Sequence, residues 1–379
     1  MTSNTYCPFP WIGLNVVPNL VAPCCYWAHD EITGIVDFEK VKQAMINGER
    51  VPNCAQCYHD EEHGKDSRRT DYIKKYGVTY KSKLKVLDIS FDNVCNLKCR
   101  GCVSTNSHLI FEDEKELYGE TFIDTKYVTS TYQENLDYSE LAEINLSGGE
   151  PLLSKKAENF MYDLLQQGKL KNIFLGISTN CTVVPSERWM EIFRGAKDLW
   201  ITLSIDGHGG INDYFRSGAD FESSCEIMKV FDSLFDQRTG LTEIQLHTTV
   251  SAYNVNLLAP IKTFTETNFP RFKHTRRLLM WPNYLSINHL PADYKKIIRP
   301  IVEAYGNEYA EILNFLDQDA EDHFEHFINA HTKLDFLRQE TLKDANPLFY
   351  EYIEQYKKQN PNRVDSKIFF IDQIRGLKT

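Results

Sequence analysis

From Leu84 onward the chain repeats one unit, a short apolar strand, a loop and an amphipathic helix, and this repetition restricts the fold more than any other feature. Strand candidates are "LKVLDISF" from Leu84, "EINLSG" from Glu143, "NIFLGIST" from Asn172, "DLWITLSID" from Asp198, "EIQLHTTV" from Glu243 and "RLLMW" from Arg277. Helices are expected between them at 109–118, 156–167, 187–193, 222–235 and 257–267. Strands that alternate with helices imply right-handed crossovers and a parallel sheet. The fold class is therefore α/β, and six units suit a partial (β/α)6 TIM-like barrel better than the full eight.

Such folds carry their chemistry at the C-terminal strand ends. After the first strand "CNLKCRGC" places Cys95, Cys99 and Cys102 on one loop; after the second comes "GGEP", Gly148 to Pro151; after the third "TNC" from Thr179; around the end of the fourth Ser204, Asp206 and Gly207. Three thiols on so short a loop cannot pair as disulfides without leaving one over. Zinc would ask for a fourth ligand nearby, whereas a cubane [4Fe-4S] cluster held by three cysteines keeps one iron open for an exogenous ligand.

Four regions are expected: a cysteine module at 1–62, a linker at 63–83, the barrel at 84–287 and a mostly helical C-terminal extension at 288–379. In the module "WIGLNVV", Pro18-Asn19 and "LVAP" read as a β-hairpin, with Cys7 before it and Cys24 and Cys25 after it; a helix near 38–46 leads to "CAQC", Cys54 to Cys57. The basic stretch from Lys65 to Lys85 reads as a solvated helix and linker. Cys225 reads as a small buried hydrophobe and Cys181 as a packed thiol. His208 reads as loop, His289 as a helix entry, and Asp335 with Arg338 as a surface ion pair.

The 379 residues are 42 % apolar and 12 % aromatic, enough for a large core, and the net charge of −11 speaks against a nucleic-acid partner and against tRNA modification. No signal segment opens the chain and no apolar run is long enough to span a bilayer, so a cytoplasmic protein without a membrane partner is expected. Eight of the ten cysteines precede residue 103; in a reducing compartment, this clustering points to metal or cluster ligation.

"CNLKCRGC" followed by "SGGEP" after the next strand resembles the radical S-adenosylmethionine (SAM) superfamily. The resemblance implies that Cys95, Cys99 and Cys102 hold a [4Fe-4S] cluster whose open iron is chelated by SAM. One-electron reduction would then cleave SAM to methionine and a 5′-deoxyadenosyl radical that abstracts hydrogen from substrate. It also implies SAM contacts from Gly148, Gly149, Glu150 and Pro151, with Glu150 accepting from the ammonium. Asn180, Ser204 and Arg216 would contact the ribose or carboxylate, and Val250 would line the adenine site. Gly101 departs from the pattern, standing where an aromatic residue is usual.

The first 62 residues resemble the twitch module, a shortened SPASM domain, with Cys7, Cys24, Cys54 and Cys57 matching the ligands of a second, auxiliary [4Fe-4S] cluster and Cys25 as the alternative to Cys24. Asn19 stands where the family has Gly, a mild change because Asn tolerates the left-handed turn. In most relatives this module follows the barrel; here it precedes it. A structural zinc site fits the same four cysteines, since spacing does not settle metal identity. The resemblance implies hydrogen abstraction from a peptide or protein side chain, with a flavodoxin or ferredoxin as reductant. The same chemistry on a small molecule of aminocyclitol or nucleotide type is the alternative. An iron–sulfur electron carrier is the other, although such a carrier would need neither "SGGEP" nor Ser204.

Overall fold

A computed structural model describes residues 4–27, 34–62, 64–318, 320–321 and 323–361. The last part of the expected C-terminal extension, 362–379, lies outside the described residues. The chain opens with helix α1 (Phe9–Ile12), strands β1 (Gly13–Val17), β2 (Leu20–Ala22) and β3 (Gly34–Ile35), then helices α2 (Phe38–Ile46), α3 (Ala55–Glu62) and α4 (Arg68–Tyr76). It continues through β4 (Val86–Ile89), α5 (Phe111–Tyr118), β5 (Glu143–Leu146), α6 (Lys155–Gln166), β6 (Phe174–Thr179), α7 (Glu187–Gly195) and β7 (Asp198–Ser204). Helices α8 (Gly210–Phe215), α9 (Phe221–Asp232) and α10 (Leu234–Gln237) lead to β8 (Thr242–Val250), α11 (Leu258–Asn268) and β9 (Lys273–Leu278). Helices α12 (Ala292–Glu303), α13 (Ala310–Leu316), α14 (Phe324–Arg338) and α15 (Pro347–Gln359) follow.

All nine strands form one sheet in the order β3-β2-β1-β4-β5-β6-β7-β8-β9, parallel except for the β1–β2 hairpin. The six expected strands are there, in sequence order. The last is displaced: β9 begins at Lys273, and Leu279 to Trp281 have already left the sheet. "WI" belongs to α1 rather than to the hairpin. Asn19 takes the left-handed conformation expected of it, with φ 69°. The hairpin joins the barrel sheet directly, β1 pairing with β4 over Gly13–Val16.

The period of two along each strand separates two faces. Ile144, Leu146, Leu175, Ile177, Ile201, Leu203, Ile244 and Leu246 are buried in one core with side chains of α6, α7 and α9. The opposite face is polar: Asp88, Asn145, Gly176, Trp200 and Glu243 stand in one row across five strands, and Ser204, His247 and Thr275 in another. This polar face is concave. Tyr26, beyond β2, meets Arg277 of β9, with 5.3 Å between guanidinium carbon and ring centroid. In a flat sheet those edges would lie roughly 34 Å apart, seven strand spacings of about 4.8 Å. The sheet therefore curls on itself, an arrangement consistent with a partial barrel.

The stretch expected as a solvated helix and linker does hold a helix, α4, with Lys74 and Lys75 exposed, but two of its arginines are built into the structure. Arg68 of α4 donates from a single nitrogen, Nη2, to both carboxylate oxygens of the buried Asp88 of β4, at 2.9 and 2.8 Å, and Arg69 pairs with Glu61 and donates to the carbonyls of Asn4 and Tyr6. Phe9 and Tyr72 flank the Arg68 guanidinium. Among the described residues no helix is long and apolar enough to cross a membrane. Removing one partner of a buried pair leaves an uncompensated charge, so Asp88→Asn should lower stability by about 3 kcal/mol. Urea unfolding of the two proteins reads this directly, and an unchanged midpoint would contradict it.

Candidate functional site

The cysteine loop after β4 is anchored before it reaches its first thiol. Asn93, fully buried, donates from Nδ2 to the carbonyls of Ser104 (2.9 Å) and Lys126 (3.0 Å), while its Oδ1 accepts from the Val128 amide at 3.1 Å. Further along, the amides of Lys98 and Arg100 donate to the carbonyls of Ser217 and Phe215. Arg100 points inward with a fully buried side chain, donating to Asp335 and Glu340 at 2.6 Å each and to the Tyr214 carbonyl at 3.0 Å, with its guanidinium carbon 3.8 Å from the Tyr214 ring centroid. Arg338 of α14 donates to the Lys98 carbonyl at 2.7 Å and pairs with Asp113 at 2.8 Å. Asp335 and Arg338 are thus neither on the surface nor paired with each other. Each clamps the cysteine loop from the C-terminal helices.

Cys95, Cys99 and Cys102 line a cavity of about 240 Å³ at the C-terminal ends of the strands, together with Gly148, Gly149, Asn180, Ser204 and Arg216. Asn180 Nδ2 stands 3.8 Å from Cys95 Sγ, and Arg216 Nη1 3.8 Å from Cys99 Sγ. Asp206 holds the Arg216 guanidinium at 2.8 Å, and Arg216 Nε, buried, has no hydrogen-bond partner. Burial pushes all three thiols upward, Cys99 to about 11 despite the nearby Arg216 cation. A cationic centre among them would favour the thiolates.

The glycines of "GGEP" have a packing reason. A Cβ on Gly149 would stand 2.2 Å from the Val94 carbonyl oxygen, and one on Gly148, where φ is 120°, would meet Ser90 Oγ at 2.0 Å. The cavity wall and the cysteine loop touch there backbone to backbone. Glu150 and Pro151 do not line the cavity. The Glu150 carboxylate accepts from Thr179 Oγ1 (2.8 Å) and from the amides of Asn180 (2.7 Å) and Leu152 (3.1 Å), so it braces the end of β6. Burial raises its pKa to about 7 against the effect of those donors. Val250 is also elsewhere: it packs into the C-terminal core, and its neighbour Thr249 lines the cavity, because adjacent strand residues face opposite ways. At Gly101 an added Cβ would meet Leu279 and Phe215 at 3.0 and 3.1 Å. Both line the cavity and fill the space a side chain at 101 would take.

In the module Cys7 precedes α1, Cys24 follows β2, and Cys54 and Cys57 border and occupy the start of α3. Cys7 is held well above its ordinary value by burial and by the neighbouring Cys24, Cys54 and Cys57, so these four thiols share one environment. Burial, with Cys54 beside it, lifts Cys24 to about 12. The Cys25 amide donates to Asp88 Oδ2 at 3.3 Å, and its thiol lies beside the same carboxylate. Among the described residues no three His, Cys, Asp or Glu side chains converge on one point as ligands of a single ion do. Cys181 is fully buried with its thiol directed at the Ser224 carbonyl, as a packed thiol should be, and Cys225 is half-buried against the core.

The reading of the sequence missed Asn93, Arg100 and Thr249. A buried Asn or Arg inside a cysteine loop carries no spacing signal, whereas the alternation of β8 did contain the choice between Thr249 and Val250. Gly149→Ala should distort the contact with Val94 and lower stability by about 1–3 kcal/mol. Iron retained after reconstitution should fall in parallel, and wild-type iron content with an unchanged unfolding midpoint would contradict the packing argument.

Residues 89–242, from the end of β4 to the start of β8, match the family model of the Radical SAM superfamily. No curated protein matches the sequence. Similar solved structures include native anSMEcpe with bound AdoMet and Cp18Cys peptide, at 17 % identity and TM-score 0.36, covering 68 % of this chain and 66 % of that one. Streptococcus suis SuiB bound to precursor peptide SuiA is similar at 15 % identity and TM-score 0.34, covering 67 % and 60 %. TsrM, a radical S-adenosylmethionine methyltransferase from Kitasatospora setae, is similar at 14 % identity and TM-score 0.35, covering 51 % and 36 %. The chain thus spans less than two thirds of the length of each of these three. The matched stretch holds the three thiols at the C-terminal rim of a mostly parallel sheet and the "GGEP" loop, and the match supports a radical SAM region over residues 89–242.

Proposed function

We propose that the protein is a radical SAM enzyme acting on a peptide or protein side chain, with an auxiliary [4Fe-4S] cluster in its N-terminal module. The observation that carries this reading is the cavity where three thiols face an amide and a hydroxyl from two other strand ends and a guanidinium from the end of α8. The residues fit the cofactors the family implies: the thiols number one fewer than the irons of a cubane, and the orphaned Arg216 Nε is a donor suited to a carboxylate. When bound, cluster and SAM would supply one-electron chemistry for removing a hydrogen atom from substrate.

Cys95, Cys99 and Cys102 would hold the cluster, and the clamp on Arg100 would fix their spacing. Asn180 and Arg216, each 3.8 Å from a thiol, would donate to thiolate sulfur and so ease reduction, because donors to the sulfurs stabilise the more negative state. Ser204 and Thr249 offer hydroxyls for a ribose, and Phe215 with Leu279 an apolar wall for adenine. Glu150 acts one step back, holding the Asn180 backbone in place. In the module Cys7, Cys24, Cys54 and Cys57 would hold the second cluster, a ligand set supported by Cys24, Cys54 and Cys57 all neighbouring Cys7 and by the Cys25 thiol lying beside Asp88. A flavodoxin or ferredoxin would supply the electron.

Iron, acid-labile sulfide and zinc after anaerobic reconstitution test both halves. About eight irons should fall to about four in the Cys95/Cys99/Cys102 triple alanine variant, with 5′-deoxyadenosine formed by wild type alone. No nucleoside from reduced wild type would overturn the radical reading, and four irons plus zinc would reduce the module to a structural clip. Cys24→Ala should lose the second set of irons while Cys25→Ala keeps it; the reverse result would exchange their roles.

A further inference from the structure

The concave face of the sheet carries a cation that no carboxylate among the described residues matches. Four others border this face or the adjoining cavities, and each has a carboxylate: Arg68 with Asp88, Lys75 with Glu143, Arg216 with Asp206 and Lys273 with Glu243. Arg277 differs. It is exposed, and its guanidinium makes no hydrogen bond or ion pair among the described residues, only the ring contact with Tyr26.

Its position is specific. Arg277 stands opposite Thr249 in the β8–β9 register, and Thr249 lines the cavity above the cysteines. One step back along both strands His247 pairs with Thr275, its Nδ1 2.9 Å from the Thr275 hydroxyl, which leaves Nε2 as the other polar atom of the ring. On the other side, Tyr26 belongs to the segment that follows Cys24 and Cys25. A second cavity of about 550 Å³, which shares Tyr26 as a wall, opens along the same face toward the strand starts; it is lined by the carboxylates of Asp60, Asp66, Asp71, Glu143 and Glu243, so an anion is expected on the Arg277 side of Tyr26. Arg277 therefore stands on the β9 edge, in register with Thr249 of the cavity wall and in contact with the segment that follows Cys24 and Cys25.

We propose that Arg277 anchors an oxyanion of the substrate, a carboxylate or a phosphate monoester, while Tyr26 walls the site and His247 adds a polar contact. A guanidinium presents paired donors that match both groups, and in a chain of net charge −11 one on the inner face that meets no carboxylate among the described residues is the local point of attraction for an anion. The proposal rests on the radical reading for the meaning of "substrate", and deepens it by naming the group that is recognised.

Calorimetric titration of the full-length protein, anaerobically reconstituted and loaded with SAM, tests this with three peptides: acetyl-Gly-Glu-Gly-amide and its Gln and O-phosphoserine counterparts. Wild type should bind the Glu or the phosphoserine peptide about tenfold more tightly than the Gln peptide, as a charge-assisted contact predicts. The tighter of the two identifies the anion. Arg277→Gln should abolish the preference and Arg277→Lys retain part of it, with thermal unfolding of both showing that the fold is kept. Equal affinity for all three peptides in wild type, or a preference that survives Arg277→Gln, overturns the anchor. The same wild-type sample is assayed for 5′-deoxyadenosine: an Arg277-dependent preference without nucleoside overturns the radical reading and leaves the anchor standing, and nucleoside without a preference overturns the anchor alone.

Discussion

A carboxylate buried on the inner face of a parallel strand must be surrounded by donors, and those of Asp88 come from three separate parts of the chain. Arg68 arrives from α4, Asn145 from the neighbouring strand at 2.8 Å, and the Cys25 amide from the loop that follows the hairpin. An isolated ionised carboxylate at this position would be strongly unfavourable, so the barrel, the helix and the cysteine module are bound to one another at a single group. The geometry between the two cysteine sets follows from that joint. It also orients Tyr26, which faces Arg68 on one side and Arg277 on the other, and so brings the two ends of the sheet together.

A second buried network fixes the cysteine loop. Arg100 lies between two of the three cysteines, points away from the cavity and is held by two carboxylates from the end of α14 and the loop after it. Arg338 adds a bond to the Lys98 carbonyl. Such pairs contribute little net stability against well-packed apolar residues, yet they allow one arrangement of the loop, and three donors that share a cluster require one arrangement. The C-terminal helices, which carry no motif, take part in the candidate site by positioning what does.

Much of the scaffold is legible in the residues because it follows from local patterns. Five of the six barrel strands occupy their expected stretches, since runs such as "NIFLGIST" combine β-branched residues with period-two alternation. The sixth was misplaced because "RLLMW" is the more apolar stretch, whereas "KHTRRL" is an edge strand with charged residues on its exposed positions. The arginines of the basic Lys65–Lys85 stretch looked solvated because their charges are visible in the sequence and their carboxylate partners, Asp88 and Glu61, are not adjacent to them. Asp335 and Arg338 looked like a helical pair for the opposite reason: proximity in sequence suggested a partner that each finds across the fold.

The sequence by itself determined the alternation of strands and helices, the three thiols on one loop and the glycines beside them, because each depends on residues close along the chain. Only the tertiary structure decided where the buried charges found partners, that Glu150 braces a backbone instead of facing the cavity, that Thr249 and not Val250 borders it, and that Arg277 meets no carboxylate among the described residues. Those outcomes depend on which distant side chains share a desolvated space. A group's surroundings there are set by the packing of the whole chain, and no local spacing encodes them.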